Sequence, residues 1–210
     1  MTNCKIDRIP RSWLQWLVLA VLLSGCTGLR PAQTETGNTY VLEPKPIAKD
    51  VRERRDIVLE ISAPHAAPGF ETAQMAYVQR PYELDYFAAN RWADAPSRML
   101  GPILAKALEE SGSFGAVVQA PSVVQADVRL VSELVRLQQN FEVRPSRIEM
   151  VLRVQLIDVR TRRLFATRVF EATEKAPSDD PYGGVTAANA ALQRILEDVV
   201  NFSIAESGKR

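Results

Sequence analysis

Apolar and polar positions change rhythm several times along the 210-residue chain. Trp13 to Leu23 (WLQWLVLAVLL) is apolar apart from Gln15. Thr27 to Asn38 is polar, contains Gly and Pro, and has no apolar period, so it reads as a flexible tether. Thr39 to Leu42 is a short strand candidate closed by Pro44 and Pro46. Asp56 to Ala63 (DIVLEISA) is rich in β-branched residues and stops at Pro64, which predicts a better strand. Met75 to Val78 and Leu84 to Ala88 read as two strands of a hairpin around Arg80 and Pro81.

At Asp94 the period becomes helical. Met99, Leu100, Ile103, Leu104, Ala107 and Leu108 recur three and four residues apart, which places one apolar stripe on a helix ending near Glu110. Asp94 is expected to cap it, Pro96 suits the first turn, and Gly112 suits a left-handed stop. Pro102 inside the helix removes one backbone hydrogen bond and is expected to kink or delay it. Period-two patterns then return. Ala116 to Gln119 is a short strand, and Val128, Leu130 and Leu134 alternate with Asp127, Arg129 and Glu133. Ile148, Met150, Leu152, Val154 and Leu156 alternate more cleanly with Glu149, Arg153 and Gln155. Leu164 to Thr173 completes a predicted antiparallel meander with one wet face. A loop with Pro177, Pro181 and Gly183-Gly184 leads to a last helix whose buried stripe is Ala188, Leu192, Ile195, Leu196 and Val199. Two helices packed on a mixed, largely antiparallel sheet is the economical α/β architecture.

Charge completes the reading of the N-terminus. Lys5, Arg8 and Arg11 against Asp7 precede the apolar block, and Leu23-Ser24-Gly25-Cys26 follows it, matching the bacterial lipobox. The block is shorter than the roughly 20 residues of a membrane-spanning helix. Residues 1–25 are therefore expected to be a lipoprotein signal peptide, Cys26 the lipidated N-terminus, 26–38 the tether, and 39–210 a single domain. Cys4 would leave with the leader and Cys26 would be acylated. No free thiol would remain for catalysis, metal or disulfide. The formal net charge of +1 would become about −1 without the leader, which gives no footprint for nucleic acid.

Candidate chemistry is sparse. His65, the only histidine, has no GxSxG nucleophile elbow for company and reads as an exposed loop residue. Asp179-Asp180 lacks the further oxygen ligands of a calcium loop. Neither GxGxxG nor GxxxxGK[ST] occurs, so the chain has neither phosphate cradle. Tyr82, Tyr86, Phe87 and Trp92 cluster before the first helix, either as core anchors or as an exposed patch for a lipid or partner.

The run from Tyr82 through Tyr86 to Arg91-Trp92, the Met99-Leu100 step, and the exit Ser111-Gly112-Ser113-Phe114 resemble the ABC-type transport auxiliary lipoproteins. That family includes the paraquat-inducible protein C lipoproteins. Tyr40-Val-Leu and the long strands before a C-terminal helix fit it as well. The resemblance implies a three-layer α/β domain held at the periplasmic face of the outer membrane. Thr27 after the lipidated cysteine agrees, because an Asp there is the usual inner-membrane retention signal. It further implies a non-enzymatic component without cofactor or metal, with an inner-membrane ABC transporter and a mammalian-cell-entry (MCE) domain protein as partners. The cargo would be phospholipid or another hydrophobic compound, and self-association stays open. Tyr86, Arg91 and Trp92 would be its structural or contact residues. A second reading is an outer-membrane assembly chaperone or pilotin.

Overall fold

The computed structural model describes residues 37–47 and 54–209. The leader, Cys26 and nearly all of the expected tether lie outside the described residues. The strands are β1 (Thr39–Tyr40), β2 (Arg55–Ile61), β3 (His65–Ala66), β4 (Gln74–Val78) and β5 (Asp85–Trp92), followed by helix α1 (Pro96–Glu110). Then come β6 (Phe114–Gln119), β7 (Val128–Asn140), β8 (Arg147–Asp158), β9 (Arg163–Lys175) and helix α2 (Pro181–Ser207).

β7 is the spine of the nine-stranded sheet. Along one edge it pairs antiparallel with β8 over its whole length, and β8 pairs with β9 in the same way, giving the predicted meander. Along its other edge β7 takes three parallel partners end to end. These are β2 at Val128–Leu130, β3 at Glu133–Leu134 and β4 at Gln138–Asn140. β6 flanks β2 in parallel, β5 flanks β4 as the expected hairpin, and β1 runs parallel beside the end of β5.

Burial explains the alternation. Leu130, Leu134, Met150, Leu152 and Leu156 have no exposed surface, whereas the other face of the meander carries ion pairs such as Arg153–Glu133 and Arg129–Glu60. Each fully buried Leu or Met contributes about 1.5–3 kcal/mol. The bulge between Leu134 and Arg136 adds one residue and reverses the parity, so Leu137 and Gln139 regain the buried face and β7 runs on to Asn140.

Both helices lie on that buried face. In α2 the predicted stripe Ala188, Leu192, Ile195, Leu196 and Val199 is at most 1% exposed. Asp180 caps the helix by accepting a hydrogen bond from the Gly183 N–H (2.7 Å). In α1 Leu100, Leu104 and Leu108 are fully buried. Two expectations about α1 are corrected. The helix starts at Pro96 and continues past Pro102, its exposed seventh residue, so it is not delayed. The cap position is Ala95, and no side chain caps it. Asp94 stands one residue too early, so its Oδ1 accepts from the Ala95 N–H and from Arg98 Nε, both at 2.7 Å. Gly112 does take the left-handed conformation, with φ of 68°.

The α/β architecture of two helices packed on a mixed sheet is as expected. α1 and α2 touch each other on one face of the sheet, and the opposite face of the meander carries the ion pairs.

Candidate docking surface

The segment that enters the fold is hydrogen-bonded to α2 and shares a hollow with α1. Tyr40 is in register with Trp92, and beyond it Leu42 is buried. The Glu43 N–H donates to Asn189 Oδ1 of α2 (2.6 Å), and Asn189 Nδ2 donates to the Val185 carbonyl (3.1 Å). Pro44 and Pro46, which end strand propensity, carry the chain across a small hollow. Leu42, Ile47, Ile103, Ala107 and Leu196 are among its lining residues, and its volume is about 110 Å³. Small-molecule sites occupy roughly 300–1,000 Å³, so this hollow does not hold a whole phospholipid.

The residues singled out before α1 separate in space. Trp92 ends β5 at 3% exposure, in the same buried cluster as Leu100 and Leu104 of α1. Its backbone N–H donates to the Ala73 carbonyl (2.8 Å). Arg91, one residue earlier, points to solvent, as pleating requires. Tyr86 is half-buried, and its hydroxyl donates to the carbonyl of Gly69 (3.0 Å). Gly69 has φ of 92°, a conformation that favours glycine. Tyr86 thereby ties the loop after β3 back onto the sheet. Phe87 stacks at 4.7 Å from Tyr77, with Phe141 beside both rings. Tyr82 is fully exposed. The cluster is thus partly core anchor and partly surface, and the three motif residues do not converge on one site.

His65 is exposed as expected but sits on β3 opposite Glu133, not in a loop. Two residues of strand bounded by Pro64 and Ala67 leave too little pattern to read. Asp179 and Asp180 have structural duties. Asp179 accepts from the Ser146 N–H (2.6 Å) and pairs with Arg144 (3.1 Å). These hydrogen bonds from Ser146, with Arg144 behind them, hold its carboxyl below the usual range. Arg98 and the Ala95 N–H do the same to Asp94. Among the described residues no three His, Cys, Asp or Glu gather as a metal site. None of the described helices is long and apolar enough to cross a membrane.

No sequence pattern marks the end of the molecule where three turns meet. The Phe141 N–H donates to the Val78 carbonyl (2.8 Å), which joins the β7–β8 turn to the β4–β5 turn. Ser146 and Asp179 join the same β7–β8 turn to the start of α2, and Gln139 Nε2 donates to the Asp180 carbonyl (3.2 Å). Tyr82, Leu84, Val143 and Tyr182 all stand exposed on these turns. Isolated apolar residues in turns carry no periodicity, so only the fold could assemble them.

Comparisons agree with this geometry. A crystal structure of protein XCC0632 from Xanthomonas campestris superposes with a TM-score of 0.75 at 19% identity, covering 82% of this chain and 98% of that one. A structure of the hypothetical protein CT253 from Chlamydia trachomatis reaches a TM-score of 0.51 at 11% identity, covering 72% and 98%. Both show a shared fold. An uncharacterized protein of Bradyrhizobium diazoefficiens, bll6063, is 25% identical over 118 residues, which is 56% of this chain and only 32% of that protein. The family model for the ABC-type transport auxiliary lipoprotein component matches residues 40–200, from β1 into the last turns of α2, and the chain belongs to that family.

Proposed function

We propose that this protein is a non-enzymatic, lipid-anchored accessory of an ABC transport system, attached through Cys26 to the periplasmic face of the outer membrane. Its partners in this reading are an inner-membrane ABC transporter and an MCE-domain protein, and the cargo is phospholipid or another hydrophobic compound. The observation that carries the reading is the family match over residues 40–200, which spans nearly all of the described fold. The lipobox ending at Cys26 supplies the anchor. A single acyl chain binds membranes marginally, whereas several on one residue hold stably.

Two measurements on cells test it. Cys26→Ser is expected to yield an unprocessed precursor without acyl groups, read by mass spectrometry of the intact protein. Wild-type protein is expected in the outer-membrane fraction and to co-purify, after mild crosslinking, with an ATPase, a permease and an MCE-domain protein. Normal lipidation of the Cys26→Ser variant would overturn the anchor. Recovery with a secretin or pilus component instead would favour the pilotin reading.

A further inference from the structure

The end of the molecule where the three turns meet has a surface unlike the opposite end. Its exposed apolar residues come from three separate elements. Tyr82 and Leu84 lie on the β4–β5 turn, Val143 on the β7–β8 turn, and Tyr182 on the first turn of α2. Tyr82 is held outward by the backbone, with φ of 67°, a region that bulky residues rarely adopt. Its turn is closed by the Glu83 N–H donating to the Arg80 carbonyl (3.3 Å) and by the Arg80–Glu83 ion pair (2.7 Å). Arg144 is likewise paired with Asp179. Arg80 and Arg144 are thus each paired with a carboxylate.

The far end, 27 residues of α2 away, exposes Val123, Val124 and Leu164 but, among the described residues, no aromatic ring. It carries exposed Arg160 and Arg162 on the β8–β9 turn and Arg163 at the start of β9. Chain direction separates the two ends. β1 is parallel to β5 with Thr39 opposite Arg91, and Gly37 lies against the Ala89 carbonyl. Gly37, the first described residue, therefore lies toward the side where β5 begins. Eleven residues, Cys26 to Thr36, precede that point. Fully extended they reach at most roughly 40 Å.

We propose that this end is a lipid-facing surface, with Tyr82, Val143 and Tyr182 resting in the headgroup region of the bilayer that anchors the chain. The proposal rests on the anchor at Cys26 argued above. Tyrosine suits such a boundary because its ring is apolar and its hydroxyl stays hydrated. The paired arginines leave little net attraction for anionic lipid, so contact is insensitive to salt, unlike binding through a basic patch.

The test uses the full acylated chain in phosphatidylethanolamine–phosphatidylcholine vesicles containing a brominated phosphatidylcholine. An environment-sensitive fluorophore is attached to Tyr82→Cys, and, in a second preparation, to Arg162→Cys at the far end. The expected result is blue-shifted emission and bromolipid quenching at position 82, neither at position 162, and no change on raising the salt. Aqueous emission at 82 from chains that float with the vesicles overturns the proposal while leaving the anchor intact. Chains that fail to float overturn the anchor and the proposal with it. If the label at 82 stays aqueous on vesicles and is shielded from iodide only after solubilised transporter components are added, the surface belongs to a protein and the proposal is wrong.

Discussion

The two sides of β7 are built differently. On one side the meander β7–β8–β9 consists of long strands joined by short turns and covered by α2, with alternating burial along β7 and β8 apart from bulges. On the other side β2, β3 and β4 are short strands from separate stretches of chain, and each meets β7 over only two or three residues. That wing holds α1, the Tyr86, Arg91 and Trp92 positions and the entry of the chain, and its few ladder bonds make it depend on side-chain anchors. Order in the meander comes from repetition, and order in the wing comes from particular residues.

The largest expected effect tests that dependence. Trp92→Ala is expected to cost about 3–5 kcal/mol and to lower Tm markedly, because a buried indole in the wing has no repeated neighbour to replace it. Leu152→Ala, at the centre of the meander, is expected to cost about 2–5 kcal/mol. Calorimetry on the two variants sharpens the comparison. If the wing unfolds with the meander, both shift a single transition. If Trp92→Ala splits off an earlier transition and Leu152→Ala does not, the two sides are separate cooperative units. An unchanged Tm for Trp92→Ala would show that the wing does not rest on this anchor.

A smaller effect is expected at the start of α2. Asp180→Ala removes the cap hydrogen bond to the Gly183 N–H and is expected to cost about 1 kcal/mol in urea unfolding. Asp94→Ala, by contrast, removes no cap and serves as its control. The smallest effect is expected at His65, exposed on the shortest wing strand. His65→Ala is expected to change stability by less than about 0.5 kcal/mol and to leave transport in cells intact. Loss of transport at normal abundance would return this residue to the list of candidate catalytic groups.

The same contrast explains what could be read from sequence. The alternation in β8 and the stripe on α2 were legible because one residue type serves one face over many positions. The β4–β5 hairpin was legible because its strands are neighbours in sequence. The parallel seats on β7 were not, since parallel pairing leaves no local trace and the partners lie far apart in the chain. Local geometry also escaped notice where one residue decides it. The bulge at Leu134–Arg136 lengthened β7, and a one-residue offset left Asp94 outside the cap position. Of the candidate site, the aromatic composition was visible and its division into buried Trp92 and exposed Tyr82 was not.

The three parallel seats on β7 also fix an order in time. Leu59 pairs with Val128, His65 with Glu133 and Val78 with Asn140, so β2, β3 and β4 each wait for a partner more than sixty residues later in the chain. Pairings at such separation close slowly, while the β7–β8–β9 hairpins close locally. Because synthesis runs from the N-terminus, β2 to β5 emerge first and stand without their template until residues 128–140 have followed. During that interval β2, β3 and the β4–β5 hairpin leave open the edge that β7 later covers, the stage at which a newly made chain is most in need of a chaperone.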